Sequence, residues 1–315
     1  MTSSSSHLRG PAEQAIIPSE SSGLALLAGH NIDGTNVSWM ETNWPFFSWA
    51  IFLIGTGLLV GCWNTKESNQ KQQQQHQEHY NHLWYGWLSV VAYCLHQSEE
   101  HAYDIYGWRY SFVPTLNLTY KIFTEVCGDG PHVMDPVTDK TIIGCPLDPK
   151  ITLYVNVVAI WIGFGGCMMV ATFFSKYYQS SRFLFVAYLN WGSAFVNGLM
   201  GHIMPMILTH TYNPGVVQSM FMVPFALWLI VWKSNYQHLP FLCILNGVIM
   251  HILLISSVQI IFRFKTSEAI TITVFMITGT VFVPLAISNY VYNTVTTTPT
   301  NTTPTTTSAS SSKKA

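Results

Sequence analysis

Seven stretches of about twenty predominantly apolar residues recur along this chain, and that is the length an α-helix needs to cross a ~30 Å hydrocarbon core. They run from Pro45 to Trp63, from Leu83 to a polar far end past Leu95, and over 151–174, 183–209, 215–233, 239–262 and 269–292. Only 9% of the 315 residues are charged, against roughly 25% in an average soluble domain. Eleven Trp, fifteen Tyr and eighteen Phe add to the apolar load. The expectation is an all-α, polytopic transmembrane bundle of about seven spans, an integral multi-pass membrane protein in contact with lipid. A formal net charge of −1 supplies no basic field, so nucleic acid is excluded as a partner. Nothing in the sequence names a protein partner.

The polar remainder divides the chain. Residues 1–42 are Ser/Gly-rich and lack a charged n-region followed by an h-region, so they read as a disordered tail rather than a cleaved signal peptide. The helical domain spans 43–293, and 294–315 form a disordered Thr/Ser-rich tail. The Gln-rich run around Gln72 to Gln75 reads as a mobile loop. Lys66, Lys71, Lys176, Arg182 and Lys233 fall in the loops after spans one, three and five. The loop after span four has no Lys or Arg, and that after span six has Arg263 and Lys265. The positive-inside rule then places the N-terminus outside and the C-terminus inside. On that assignment the polar connection 104–150 is lumenal or extracellular. There Cys127 and Cys145 are candidates for a disulfide, and Asn117-Leu118-Thr119 and Asn36-Val37-Ser38 are glycosylation sequons. Cys62, Cys94, Cys167 and Cys243, single cysteines in apolar spans, read as small core residues.

Against this background His96-Gln97-Ser98-Glu99-Glu100 stands out, because its two adjacent carboxylates are the only ones inside an apolar span. Positions i, i+3 and i+4 share a helix face, so His96 lies on one side with Glu99 and Glu100. A bilayer penalises an ionised carboxylate by several kcal/mol unless it is paired, protonated or metal-bound. Of twelve histidines only His96, His202 and His251 lie well inside spans. Spans two, four and six run in the same direction, and at 1.5 Å per residue all three reach the outer half of the bilayer. Simpler readings exist: a helix end facing water for the glutamates, a hydrogen-bonded core histidine for His202, and a His251 satisfied by Asn246 and nearby backbone. Asn197, one and a half turns before His202, reads as either a site residue or a helix–helix donor. His101 and Asp104 lie beyond the motif and read as solvated.

An imidazole and a carboxylate one turn apart suit a divalent cation. The pattern resembles the inverted zincin helix His-x-x-Glu-His, with Glu in place of the last ligand. In that analogy His96, Glu100 and His202 ligate zinc, iron or manganese, Glu99 is the general base, and an open position holds water. His96-x-x-Glu99-Glu100, a later histidine and Tyr212-Asn213-Pro214-Gly215 together resemble the HXXEE family of integral membrane proteins. That family is defined by the pentapeptide, another histidine and a Tyr-x-Pro-Gly motif. The resemblance covers about 83–235 and implies a site, not a reaction. His202 is the better match to the second histidine and His210 the alternative. Tyr212, Pro214 and Gly215 read as a structural turn that joins spans four and five and sets the height of His202.

Three function classes follow. The first is a metal-dependent membrane enzyme acting on a lipid or another amphipathic small molecule, with metal-free proton transfer between carboxylate and histidine as a variant. The second is a transporter or proton-coupled carrier using the same His/Glu cluster. The third is a non-catalytic scaffold or sensor. Desaturase-type di-iron chemistry is disfavoured, because repeated histidine boxes are absent.

Overall fold

The computed structural model describes residues 38–69, 74–102, 112, 132–134, 141–143, 149–173, 181–210, 212–232 and 238–297. Among these, the chain forms seven helical rods. The first two are α1 (Trp39–Asn69) and α2 (Gln74–His101). The third joins α3 (Pro149–Val155), the π-helical segment π1 (Asn156–Gly165) and α4 (Gly166–Phe173). The fourth joins α5 (Ser181–Val196), π2 (Asn197–Ile203) and α6 (Met204–Thr209). Then come α7 (Val216–Trp232), α8 (Leu239–Phe264), and a last rod of α9 (Glu268–Ile277), π3 (Thr278–Phe282) and α10 (Val283–Thr297).

The boundaries move where local chemistry outweighs composition. The first helix begins at Trp39 rather than about 43, because Ser38 and Glu41 form a capping box. Ser38 N–H donates to Glu41 Oε2 at 2.6 Å and Glu41 N–H to Ser38 Oγ at 3.2 Å. The second takes in Gln74 and Gln75, which the sequence assigns to a loop, and the last continues to Thr297. In the connection 104–150 a short antiparallel ribbon pairs β1 (His132–Met134) with β2 (Thr141–Ile143), Val133 opposite Ile142. Cys127, Cys145, Asn36, Asn117 and Asp104 lie outside the described residues, as do Lys176 and Lys233.

Among the described residues, four rods are long and apolar enough to cross a bilayer: Trp39–Gly61, Lys150–Phe173, Leu239–Phe264 and Glu268–Val291. The apolar Val216–Trp232 is shorter. Their outer faces carry Phe221, Phe241, Phe264 and Ile270, each at least two-thirds exposed. So much bare apolar surface is sustainable in lipid and not in water. This is a membrane protein.

Within it α5 is central, packing on α2, α7, α8 and α10. In lipid the hydrophobic effect drives helix association weakly, so close backbone approach and polar contacts must contribute. Both are present. A Cβ on Gly192 would overlap the Cys243 carbonyl, and one on Gly247 would come within 2.6 Å of the Gly192 carbonyl, so α5 and α8 touch backbone to backbone. Beside that crossing Asn246 donates to the Leu189 carbonyl at 3.2 Å and to Ser193 Oγ at 3.1 Å. The Trp191 indole donates to the Tyr85 carbonyl at 2.8 Å, fixing α5 to α2. Lys150 and Glu268, 3.3 Å apart, join the starts of the third and last rods. Cys94, Cys167 and Cys243 are buried small side chains, as their setting implied.

Candidate metal centre

α2 brings His96 and Glu100 to its inner face one turn apart, and the fourth rod brings His202 opposite them. His96 and His202 are completely buried, and Glu100 is 2% exposed. The Nε2 atoms of the two histidines are 3.0 Å apart. Glu100 Oε1 lies 3.2 Å from His96 Nε2 and 2.8 Å from His202 Nε2. Two nitrogens are therefore close to this oxygen, yet neither ring N–H points at it, and it has no hydrogen-bond partner among the described residues. All three atoms instead surround one small volume. Cations bound by histidine and carboxylate at about 2.0–2.2 Å hold neighbouring ligand atoms roughly 3.3–3.6 Å apart in a tetrahedron. The triangle is tighter than that by a few tenths of an ångström, so this group can hold a metal ion.

The tautomer of His202 fits the same role. Its Nδ1 lies 2.6 Å from the Pro214 carbonyl and 2.9 Å from Asn213 Oδ1. A carbonyl only accepts, so Nδ1 carries the hydrogen, and in a neutral ring Nε2 keeps its lone pair for a ligand. His96 is held differently. Its Nε2 also meets the Asn197 amide at 2.9 Å, while its Nδ1 has no hydrogen-bond partner among the described residues. Phe112 from the long connection stacks on His202, with ring centroids 4.6 Å apart, and roofs the cluster.

The motif turn now has a physical account. Val216 N–H donates to the Asn213 carbonyl at 3.0 Å across Pro214 and Gly215, with Gly215 at φ +90°. That is a type II Pro-Gly turn. A Cβ on Gly215 would stand 2.5 Å from His202 Cε1 and 3.0 Å from His96 Cε1. Proline supplies the carbonyl that orients His202, and glycine supplies the room for both rings.

Glu99, expected to be the general base, is directed away from this triangle. Tyr212 OH and Val217 N–H donate to its Oε1 at 2.9 and 3.3 Å, and Gln218 N–H to its Oε2 at 3.2 Å. With the Gln218 amide turned nitrogen-inward, it adds a donor to Oε2 at 3.1 Å and bonds the Leu95 carbonyl at 3.2 Å. Val217 and Gln218 belong to the first turn of α7, whose N–H groups have no partners in their own helix. Glu99 caps α7 from α2, with the helix dipole in its favour. The reason for the difference is geometric: adjacent helical residues point about 100° apart, so only one of two neighbouring glutamates can face His202. Replacing Glu99 by Gln leaves one oxygen for four donors. The expected loss is about 1.5–3 kcal/mol of stability, with metal affinity falling ~10-fold through the displaced turn. Thermal melting and metal titration of the same variant check both.

Other expectations divide as follows. His101, read as solvated, is buried beside Trp44, with Nε2 3.3 Å from Glu100 Oε2. Its position next to a buried helix end overrides its place beyond the motif. His210 is exposed, in the left-handed conformation that ends α6, outside the cluster. His251 is half-buried and engaged at both nitrogens, by the Gly247 carbonyl at 2.7 Å and Asn197 Oδ1 at 3.1 Å. Asn246 is not its partner. Three contributors escaped the sequence reading: Asn213, Gln218 and Phe112. Gln218 left a trace, as a long polar side chain one turn into the otherwise apolar α7.

No curated protein and no solved structure matches the chain. A family model described as a protein of unknown function with HXXEE motif matches residues 87–229, which hold the His96–Glu100 pentapeptide, His202 and the Tyr212–Gly215 turn. The stretch from 87 to 229 therefore resembles the HXXEE family, and three residues within it, His96, Glu100 and His202, build the buried His/Glu cluster.

Proposed function

We propose that this protein is a multi-pass membrane metalloenzyme, in which His96, Glu100 and His202 hold one divalent cation and act on a lipid or another membrane-dissolved amphiphile. The observation that carries the reading is the convergence of two imidazole nitrogens and an otherwise unpartnered carboxylate oxygen, with the His202 tautomer fixed from behind by Pro214. The donor set is two neutral histidines and one carboxylate, without thiolate. Such sets serve zinc in hydrolases and iron(II) or manganese in redox enzymes. Three protein ligands leave room for water, and a bound cation lowers that water's pKa toward neutrality. Glu99, occupied by α7, acts by positioning the turn that aligns His202.

All seven rods cross the membrane in this reading, with the N-terminus outside. α2 and the fourth rod carry their polar residues inward, because lipid-facing carboxylates would be too costly.

Metal analysis of the detergent-purified full chain tests the proposal. The expected result is about one divalent metal per chain, removed by chelator and lost in His96→Ala. A metal-free wild type that also fails to take up zinc, manganese or iron(II) would overturn it.

One observation favours a second reading. His101, Glu100, His96, Asn197 and His251 form a continuous chain of polar contacts through the bundle. In a metal-free protein that chain would suit a proton-coupled carrier. Proton flux in reconstituted vesicles that is unaffected by chelation would select it.

A further inference from the structure

We propose that Asn197 adds an oxygen donor to the cation site, and that His251 is the positioning residue that turns the Asn197 amide into that role. The inference rests on the metal reading above and extends it by one ligand. Two constraints, one from each side of Asn197, lead to the same orientation.

The first comes from His251. Its Nδ1 lies 2.7 Å from the Gly247 carbonyl, which can only accept, so Nδ1 carries the hydrogen. A neutral imidazole then has a bare lone pair at Nε2. That atom lies 3.1 Å from the side-chain amide of Asn197. A lone pair there calls for the amide NH₂, and an amide's oxygen and nitrogen exchange places by a half-turn. Keeping the oxygen toward His251 would require a doubly protonated ring on a membrane-spanning helix, at a cost of a few kcal/mol.

The second comes from His96. The other end of the Asn197 amide stands 2.9 Å from His96 Nε2. When that nitrogen binds a cation its lone pair is committed and accepts nothing from Asn197. An NH₂ group in this place would present its positive hydrogens to the metal. A carbonyl oxygen presents a donor. With NH₂ on His251 and oxygen on the cation side, both ends are satisfied by one half-turn of one side chain.

The backbone supports the placement. Residues five apart on a regular α-helix point about 140° away from each other. Asn197 and His202 both lie in the π-helical segment, whose i to i+5 hydrogen bonds bring such residues onto one face. The Gly192–Gly247 crossing lets α8 approach closely, one turn before Asn197 and His251. The resulting set is two histidines, one glutamate and one amide oxygen. A neutral oxygen donor suits the harder manganese(II) more than zinc, which is content with nitrogen ligands in fewer positions.

The test uses the metal-stripped, full-length protein in detergent, titrated with Mn²⁺ and separately with Zn²⁺ in competition with a fluorescent chelator. Asn197→Leu is expected to weaken Mn²⁺ binding at least ~10-fold and Zn²⁺ binding less. His251→Leu is expected to weaken Mn²⁺ to a similar degree. His251→Gln, whose carbonyl can accept the Asn197 N–H, is expected to restore most of it. Melting curves of the metal-free variants separate misfolding from lost ligation, and the Mn²⁺/Zn²⁺ ratio moves only if a donor is lost. Wild-type affinities for both metals in Asn197→Leu would overturn the proposal while leaving the three-ligand site intact. A His251→Gln no better than His251→Leu would also overturn it. A wild type that binds neither metal overturns the site itself and this inference with it.

Discussion

Glu100→Gln is expected to abolish metal binding, lowering affinity more than ~100-fold, because outer-shell substitutions alone typically cost 10–100-fold. Glu100 Oε1 is the only anionic atom in the triangle and lies within 3.2 Å of both ligand nitrogens. The amide keeps the shape but removes the charge that balances a divalent cation in a low-dielectric interior. The metal-free protein should not be weakened in parallel. Its Glu100 Oε1 accepts no well-aligned hydrogen bond among the described residues, a glutamine amide can keep the 3.3 Å contact of Oε2 with His101 Nε2, and a buried amide is cheaper to desolvate than a buried carboxylate. The signature is therefore a protein that melts at or above the wild-type temperature without metal, yet gains nothing when metal is added. Glu99→Gln should show the reverse pattern, losing stability first and metal second. If the two variants behave alike, the division of labour between the adjacent glutamates is wrong. Metal retained in Glu100→Gln at the wild-type stoichiometry would remove Glu100 from the ligand set.

That division marks where the sequence stops being readable. The membrane-spanning runs are legible because crossing lipid demands a fixed length of apolar helix, and length is written directly in the chain. His96 and Glu100 are legible because a spacing of four places them on one face. His202 is legible because it precedes the Tyr-x-Pro-Gly turn, and the turn proves to hold its Nδ1. The common depth of His96, His202 and His251 also has a counterpart, since Asn197 bridges the last to the first. The role of Glu99 was not legible. Two of its partners are backbone N–H groups on α7, more than a hundred residues away in the chain, and backbone groups carry no residue signature. The sequence leaves Asn197 open between a site residue and a helix–helix donor for a related reason. A period of 3.6 puts it on a different face from His202, and nothing in the residues announces the π-helical turn that brings them together. His101 depends on Trp44, contributed by α1, which lies outside the family stretch. Pairings between distant segments decide such details, and a single sequence does not record them.

Gly215→Ala is expected to cost the site its geometry and the fold several kcal/mol. A residue other than glycine at φ +90° is strained by about 1–2 kcal/mol. The new methyl would also stand 2.5 Å from His202 Cε1, 2.7 Å from His202 Nδ1 and 3.0 Å from His96 Cε1, closer than carbon atoms pack. Overpacking of this kind typically costs a further 1–3 kcal/mol. Neither ring can easily retreat. His202 is tied to Pro214 and Asn213, and Phe112 stacks on one of its faces. The turn cannot move outward without breaking the Tyr212, Val217 and Gln218 bonds to Glu99. Relief must therefore come from separating the imidazoles, which opens the triangle that holds the cation. The variant should melt several degrees lower and bind metal at least ~10-fold more weakly, although no ligand has been altered. Gly201→Ala is the matched control. It lies in the same rod, next to His202, and its new methyl would meet nothing closer than Asn197 Oδ1 at 3.4 Å. Equal metal affinity in Gly215→Ala and Gly201→Ala would show that the Pro-Gly turn does not set the spacing of the two histidines.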